Sequence, residues 1–88
     1  MKRITIDGRR LTSRKETHAY LQSRLGLREY YGHNLDALEE ALRFSSEPLR
    51  LVLTHAEDAR ASLGEYADRL FNLLEELHRK GHLEIEYH

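Results

Sequence analysis

The 88-residue chain has no cysteine and no tryptophan, and only one proline. Without cysteine it forms no disulfide, although a secreted domain of this size often depends on disulfides. It has no apolar run near the roughly 20 residues that span a bilayer, and its start, Met1–Asp7, lacks the hydrophobic stretch of a signal peptide. These absences predict one domain over residues 1–88, located in the cytoplasm and without a membrane partner.

The net charge of −1 conceals an uneven distribution of charge along the chain. Residues 1–28 carry eight Lys or Arg and two acidic residues, a net of +6. Residues 29–88 carry six Lys or Arg and thirteen acidic residues, a net of −7. Such a chain can steer a charged partner through its local field even though its total charge is close to zero.

Hydrophobic periodicity predicts an α/β fold. Alternating apolar residues indicate strands at Lys2–Asp7, Leu49–Thr54 and His82–Tyr87, the last with Leu83, Ile85 and Tyr87 pointing inward. Apolar stripes and end signals indicate helices after Ser13, after Asn34, at Ala56–Leu63 and from Gly64 to Gly81. Strands joined by long helical crossovers must run parallel. The predicted fold is therefore a three-stranded parallel sheet with three to four helices packed mainly on one face and the other face partly solvated.

Residues 29–38 form the most distinctive segment, in which two tyrosines and a glycine lead into a helix capped by Asn34. With Leu35, Leu38 and Leu42 as the buried stripe, about 100° per residue places Asp36, Glu39, Glu40 and Arg43 on the opposite face. Asp36 and Glu40 are four residues apart and therefore neighbours. Paired carboxylates beside tyrosines can accept hydrogen bonds from several cationic groups at once, which suits a cleft built for phosphates.

The motif Tyr30-Tyr31-Gly32-x-Asn34-Leu35-Asp36-Ala37-Leu38 resembles the signature of the barstar family, and the similarity extends along nearly the whole chain. The resemblance implies an intracellular protein inhibitor, not an enzyme and without a cofactor. It also implies that the acidic helix and the preceding loop cover the active site of a ribonuclease. The implied partner is a basic, barnase-like extracellular ribonuclease or the ribonuclease domain of a toxin.

The same resemblance implies which residues touch the partner. The family's contact positions are matched by Tyr30, Asn34, Leu35, Asp36 and Ala37, its central acidic residue by Glu40, and its secondary contacts by Leu73 and Glu76. Glu39 stands where the best-known member has an aromatic residue, and Arg43, Phe44 and Ser45 replace a helix end of small and aromatic residues. Glu39 and Arg43 are therefore expected either to contact the partner or to pair with each other. We expect Tyr30 to be exposed, Tyr31 to be structural and His18 to be a hydrogen-bonded core residue.

Two alternative functions remain open at this point. The basic residues 1–28 would suit a small nucleic-acid-binding module, although no aromatics are interleaved with them as in single-strand platforms. The protein could also confer immunity to a toxin that is not a ribonuclease. An acid–base pair of His33 and Glu40 lacks an orienting group, and Gly81 separates the histidines at 78 and 82. We therefore predict no catalytic site, no metal site and no nucleic-acid partner.

Overall fold

Three strands and four α-helices alternate in the computed structural model, which describes residues 1–29 and 31–88. In chain order they are β1 (Lys2–Asp7), α1 (Arg14–Leu25), α2 (Leu35–Arg43), β2 (Leu49–Thr54), α3 (Ala56–Leu63), α4 (Glu65–Arg79) and β3 (Glu84–Tyr87). The predicted elements are confirmed. The turn after β1 is a 3-10 helix over Gly8–Arg10, and the last strand begins at Glu84 rather than at His82.

The sheet is parallel, with β2 between β1 and β3. Leu51 lies opposite Ile4 on one side and Ile85 on the other, so the apolar residues of the three strands share one face. That face packs against the helix residues of the hydrophobic core, which are Leu21, Leu38, Leu42, Ala59, Ala67, Leu70, Phe71, Leu74 and Leu77. The predicted α/β architecture is confirmed by the parallel sheet and its helices. Alternation within the strands turns most of their apolar residues towards this face.

The second face of the sheet carries charges that pair with one another. Arg3 of β1 contacts Glu86 of β3 at 3.2 Å. Arg50 of the central strand contacts Glu84 at 3.2 Å and Glu86 at 3.6 Å. We call these four residues the sheet-face ladder. Their side chains are between 33% and 57% exposed, which confirms that this face is partly solvated, although Val52 beside them is buried.

Tyr87 corrects one expectation for the last strand. It was predicted to point inward and lies in register with Leu53, but half of its surface is exposed. The reason is that β3 is an edge strand, with a neighbouring strand on one side only. Its hydroxyl donates a hydrogen bond to Glu75 of α4 at 2.5 Å, and burial together with this carboxylate raises the pKa of Tyr87 to about 12.

Side-chain caps fix the start of the two helices nearest the distinctive segment. The Ser13 hydroxyl accepts a hydrogen bond from the Glu16 N–H at 3.1 Å, and the Asn34 carboxamide accepts one from the Ala37 N–H at 2.8 Å. Gly26 ends α1 in the left-handed conformation, with φ of 64°, which glycine adopts without steric penalty. The chain then turns into the loop that leads to α2, and α2 packs against α4.

Candidate functional site

Asp36, Glu39 and Glu40 form what we call the acidic surface of α2. Asp36 and Glu40 are exposed and Glu39 is partly buried, because Leu38 and Leu42 turn the opposite side of the helix into the core. Within the described part of the chain, none of the three carboxylates makes an ion pair or a side-chain hydrogen bond. Their acceptor atoms are therefore available to a partner.

The like charges of the acidic surface slightly destabilise α2. Like charges four residues apart, as at Asp36 and Glu40, destabilise a helix by about 0.2–0.5 kcal/mol. Asp36 lies in the first turn of α2, where the helix dipole favours a negative charge by about 0.3–1 kcal/mol. Glu40 lies beyond that turn and receives no such support. Folding therefore does not account for a carboxylate at position 40.

The loop that leads into α2 is held close to the helix by backbone and amide contacts. A Cβ atom at Gly32 would lie 3.2 Å from the Ala37 Cβ, which is tighter than ordinary packing. The Asn34 side chain donates to the Gly32 carbonyl at 3.1 Å in addition to capping the helix. Loop and helix therefore form one surface, in which Asn34 has a structural role. Tyr30 lies outside the described residues.

A buried histidine joins this loop to two helices. His18 of α1 is fully buried, and its Nδ1 and Nε2 atoms lie 2.6 Å and 2.5 Å from the hydroxyls of Tyr31 and Tyr66. Burial, together with the nearby His33, lowers the pKa of His18, and burial raises the pKa of Tyr31. The predictions that His18 is a hydrogen-bonded core residue and Tyr31 is structural are confirmed.

A groove of about 730 Å³ lies between the loop and α2. The loop side includes Leu27 and Gly32, and the α2 side includes Glu40, Ala41 and Phe44. Phe44 is 75% exposed, and sequence reasoning did not assign it a role. Its exposure could have been predicted, because position 44 is about 200° around the helix from buried Leu42.

The remaining candidate residues surround this surface. Leu35 and Ala37 are partly buried in the first turn of α2. Leu73 is partly buried and Glu76 is exposed on α4, where Glu76 pairs with Arg79 at 3.1 Å and Lys80 at 3.6 Å. The structure thus places these candidates on α2 and on the helix that packs against it.

Glu39 and Arg43 do not pair with each other among the described residues. The Arg43 guanidinium instead lies over the Phe44 ring, 5.7 Å from its centroid. The intrahelical pairing that the sequence left open is therefore not formed in this structure, and the Glu39 carboxylate makes no ion pair with any of the described residues.

The basic residues of the first third are dispersed, and several have partners. Arg9 pairs with Asp7 at 2.9 Å, and the hydrogen bonds from Arg9 lower the pKa of Asp7 to about 2. Arg10 lies over the Tyr20 ring at 5.0 Å and Arg14 over the Tyr66 ring at 4.3 Å. These aromatic rings are therefore already covered by protein cations.

Other kinds of site find little support in the geometry. His33 Nε2 lies 2.9 Å from the Gln22 side-chain oxygen, and among the described residues His33 and Glu40 form neither a hydrogen bond nor an ion pair. In residues 1–29 and 31–88 no group of three or more His, Cys, Asp or Glu is arranged to hold a metal ion. Over the same residues, no helix combines the length and the apolar character needed to cross a bilayer.

Comparison with known proteins agrees with this arrangement. The sequence model of the family described as Barstar (barnase inhibitor) matches residues 1–86. The chain is also 39% identical over 77 residues to a Bacillus subtilis (strain 168) protein named "Putative ribonuclease inhibitor YrdF", an alignment that covers 86% of this chain and 85% of that protein. The family model covers all the strands and helices up to residue 86, including the loop before α2, the acidic surface and α4. The chain belongs to the barstar family.

Proposed function

We propose that the protein inhibits a ribonuclease by laying the acidic surface and the preceding loop across the enzyme's phosphate-binding cleft. The observation that carries the proposal is that Asp36, Glu39 and Glu40 have no internal partners within the described residues. A cleft that binds RNA phosphates presents Arg, Lys or His, and carboxylates are their strongest hydrogen-bond acceptors in proteins. Membership of the barstar family and the name of the Bacillus subtilis relative support the same target class.

The proposed contacts lie on three parts of the molecule. Glu40 is the central acceptor, with Asp36 beside it and Glu39 and Arg43 at the border. Asn34, Leu35 and Ala37 provide the backbone and edges of the first turn, and Tyr30 belongs to the proposed loop contacts. Leu73 and Glu76 add secondary contacts from α4. Because α2 packs against α4, one partner surface can reach both helices.

The proposed role is binding without catalysis. The protein would act in the cytoplasm of the cell that makes it, and its partner would be a basic extracellular ribonuclease or a ribonuclease toxin domain. The net charge of −7 over residues 29–88 favours encounter with a basic enzyme. The same charge disfavours RNA as a ligand, since acidic groups repel its phosphates.

The test is an inhibition assay combined with affinity capture. The purified protein is titrated into barnase and into ribonucleases captured from secreted proteins and toxin domains, with cleavage of a fluorogenic RNA as the readout. We expect stoichiometric inhibition of at least one basic ribonuclease. Failure to inhibit any captured ribonuclease, or a robust gel shift of RNA by this protein alone, would contradict the proposal.

Two charge-neutral variants supply the controls for this assay. Replacing the acidic surface by isosteres, as Asp36→Asn, Glu39→Gln and Glu40→Gln together, should abolish inhibition. The matched variant Glu84→Gln with Glu86→Gln also removes carboxylates, but from the sheet-face ladder, and should inhibit as well as the wild type. Equal inhibition by both variants would place the binding surface elsewhere.

A further inference from the structure

Phe44 extends the acidic surface with an apolar ring. Its N–H donates to the Glu40 carbonyl at 3.2 Å, so helical spacing continues to position 44. Glu40 and Phe44 are therefore on the same side of α2, with Cβ atoms about 5–6 Å apart, and both line the groove. A carboxylate and an aromatic ring thus stand side by side on one exposed face.

Packing within the protein does not explain this ring. Phe44 is 75% exposed, and in the described chain its one aromatic or cationic neighbour is the guanidinium of Arg43. Among the described residues, Met1 and Tyr87 are the other large apolar residues that are exposed. Met1 directly precedes β1, and Tyr87 is hydrogen-bonded to Glu75. An exposed phenylalanine beside a groove is typical of a contact that becomes buried on binding.

We propose that Phe44 enters the nucleobase-binding site of the ribonuclease while Glu40 occupies the adjacent phosphate site. This inference rests on the proposed function. An enzyme that cleaves RNA must hold a phosphodiester and a flanking base, and unpaired bases are commonly held by stacking on planar side chains. The base and the phosphate of one nucleotide are separated by a single sugar, a span that two side chains one helical turn apart can reproduce.

Glu39 stands where the best-known family member has an aromatic residue. The position of Phe44 next to Glu40 can compensate for that missing ring. Glu39 is partly buried and charged, so it offers little apolar area to a partner. Phe44 supplies the aromatic area on the side of Glu40 that faces the groove. The partner would therefore be a ribonuclease with an open base site next to its catalytic phosphate site, rather than one with a flat basic surface.

The experiment is a crossed competition on the ribonuclease that the protein inhibits. The dissociation constant of the complex is measured alone, with each of adenosine, guanosine, cytidine and uridine, and with inorganic phosphate. A competitor present at ten times its own dissociation constant raises the apparent Kd by about tenfold when the sites overlap. We expect at least one nucleoside, and also phosphate, to compete with the wild type in this way.

The variants assign each competitor to one side chain. Phe44→Ala should lose competition by the nucleoside but keep competition by phosphate, and Glu40→Gln should show the reverse. Phe44→Trp should keep nucleoside competition, and Phe44→Leu, which retains apolar area without a ring, should weaken it. Phe44 is exposed, so its removal leaves no cavity, and an unchanged urea midpoint verifies the fold.

The outcomes separate this inference from the proposed function. If the wild type inhibits the enzyme but no nucleoside competes, or if nucleosides compete equally with the wild type and Phe44→Ala, the base-site assignment is overturned and the inhibitor role stands. If the protein inhibits no ribonuclease, both the base-site assignment and the proposed inhibitor function are overturned.

Discussion

The acidic surface of α2 and the sheet-face ladder are both charged and at least partly exposed, yet they are organised in opposite ways. Across the sheet, Arg50 lies between Glu84 and Glu86 at 3.2 and 3.6 Å. On α2, Glu40 and its two acidic neighbours have no basic partner among the residues described. The charges of the ladder are paired within the fold, whereas those of the acidic surface are unpaired among the described residues. Unpaired charge of one sign, rather than charge itself, distinguishes the proposed binding surface.

The largest expected effect comes from removing the central carboxylate. Glu40→Ala should weaken binding to the target ribonuclease by about 2–5 kcal/mol, a range for which the barnase–barstar pair is itself a standard example. The reason is that the enzyme's cations would stay desolvated without a partner. Asp36→Ala should weaken binding less, and Glu84→Ala on the sheet should have no effect. Inhibition constants measure all three, and an unchanged constant for Glu40→Ala would refute the site.

The second prediction compares how salt affects binding by the acidic surface and stability of the sheet. Because the charges of α2 are unpaired, association with a basic ribonuclease should slow by about tenfold or more between low and high salt. Screening shortens the field to about 8 Å at 0.15 M. The ladder's charges are paired, so the unfolding free energy should change little over the same range. Stopped-flow rates and urea unfolding provide the two measurements, and a rate constant independent of salt would contradict the prediction.

The third prediction concerns the histidine that ties the loop beside the acidic surface to the core. Burial holds the pKa of His18 below its ordinary value of 6.5, so the unfolded chain binds the proton more readily than the folded protein does. The contribution of His18 to the unfolding free energy should therefore be fully present above about pH 6.5. It should decrease as the pH falls from there towards the pKa of His18 in the folded protein. Asp7 adds to the pH dependence of stability only between pH 3.8 and about 2, below the range in which His18 acts.

Urea unfolding at pH 7, 6 and 5 tests the role of His18. His18→Gln should lower stability at pH 7, because it disrupts contacts with the two tyrosine hydroxyls, and should flatten the decline from pH 6.5 to 5. The matched control is His33→Gln, since His33 is exposed, and it should retain most of the slope. A slope unchanged in His18→Gln would show that other groups carry the pH dependence.

The smallest expected effect compares one charge of the sheet-face ladder with one charge of the acidic surface. Arg50→Gln removes the central cation of the ladder and should lower the unfolding free energy by about 0.2–1 kcal/mol. Glu39→Gln removes a carboxylate that has no ion pair within the described chain, so it should leave stability unchanged or slightly raised while slowing association with a basic target. A loss of stability in Glu39→Gln matching that in Arg50→Gln would mean that Glu39 serves the fold.

Several parts of the molecule were predictable from the sequence because their signals are local. The caps at Ser13 and Asn34 depend on atoms within three residues, and the exposure of Asp36 and Glu40 follows from their angle to the leucine stripe. Alternation within the strands and the length of the crossovers together required a parallel sheet. The motif at residues 30–38 also carried the family resemblance, which the family match over residues 1–86 confirmed.

Other features depended on contacts that no local pattern encodes. His18 lies between hydroxyls 13 and 48 residues away in the chain, and Arg3 meets a carboxylate 83 residues away. The half-exposed Tyr87 follows from the position of β3 at the edge of the sheet, and the groove beside Phe44 follows from the loop folding back against α2. Sequence periodicity determines which face of an element is buried, because it acts over a few residues. Which distant groups pair, and which charges remain unpaired, is decided only when the elements pack.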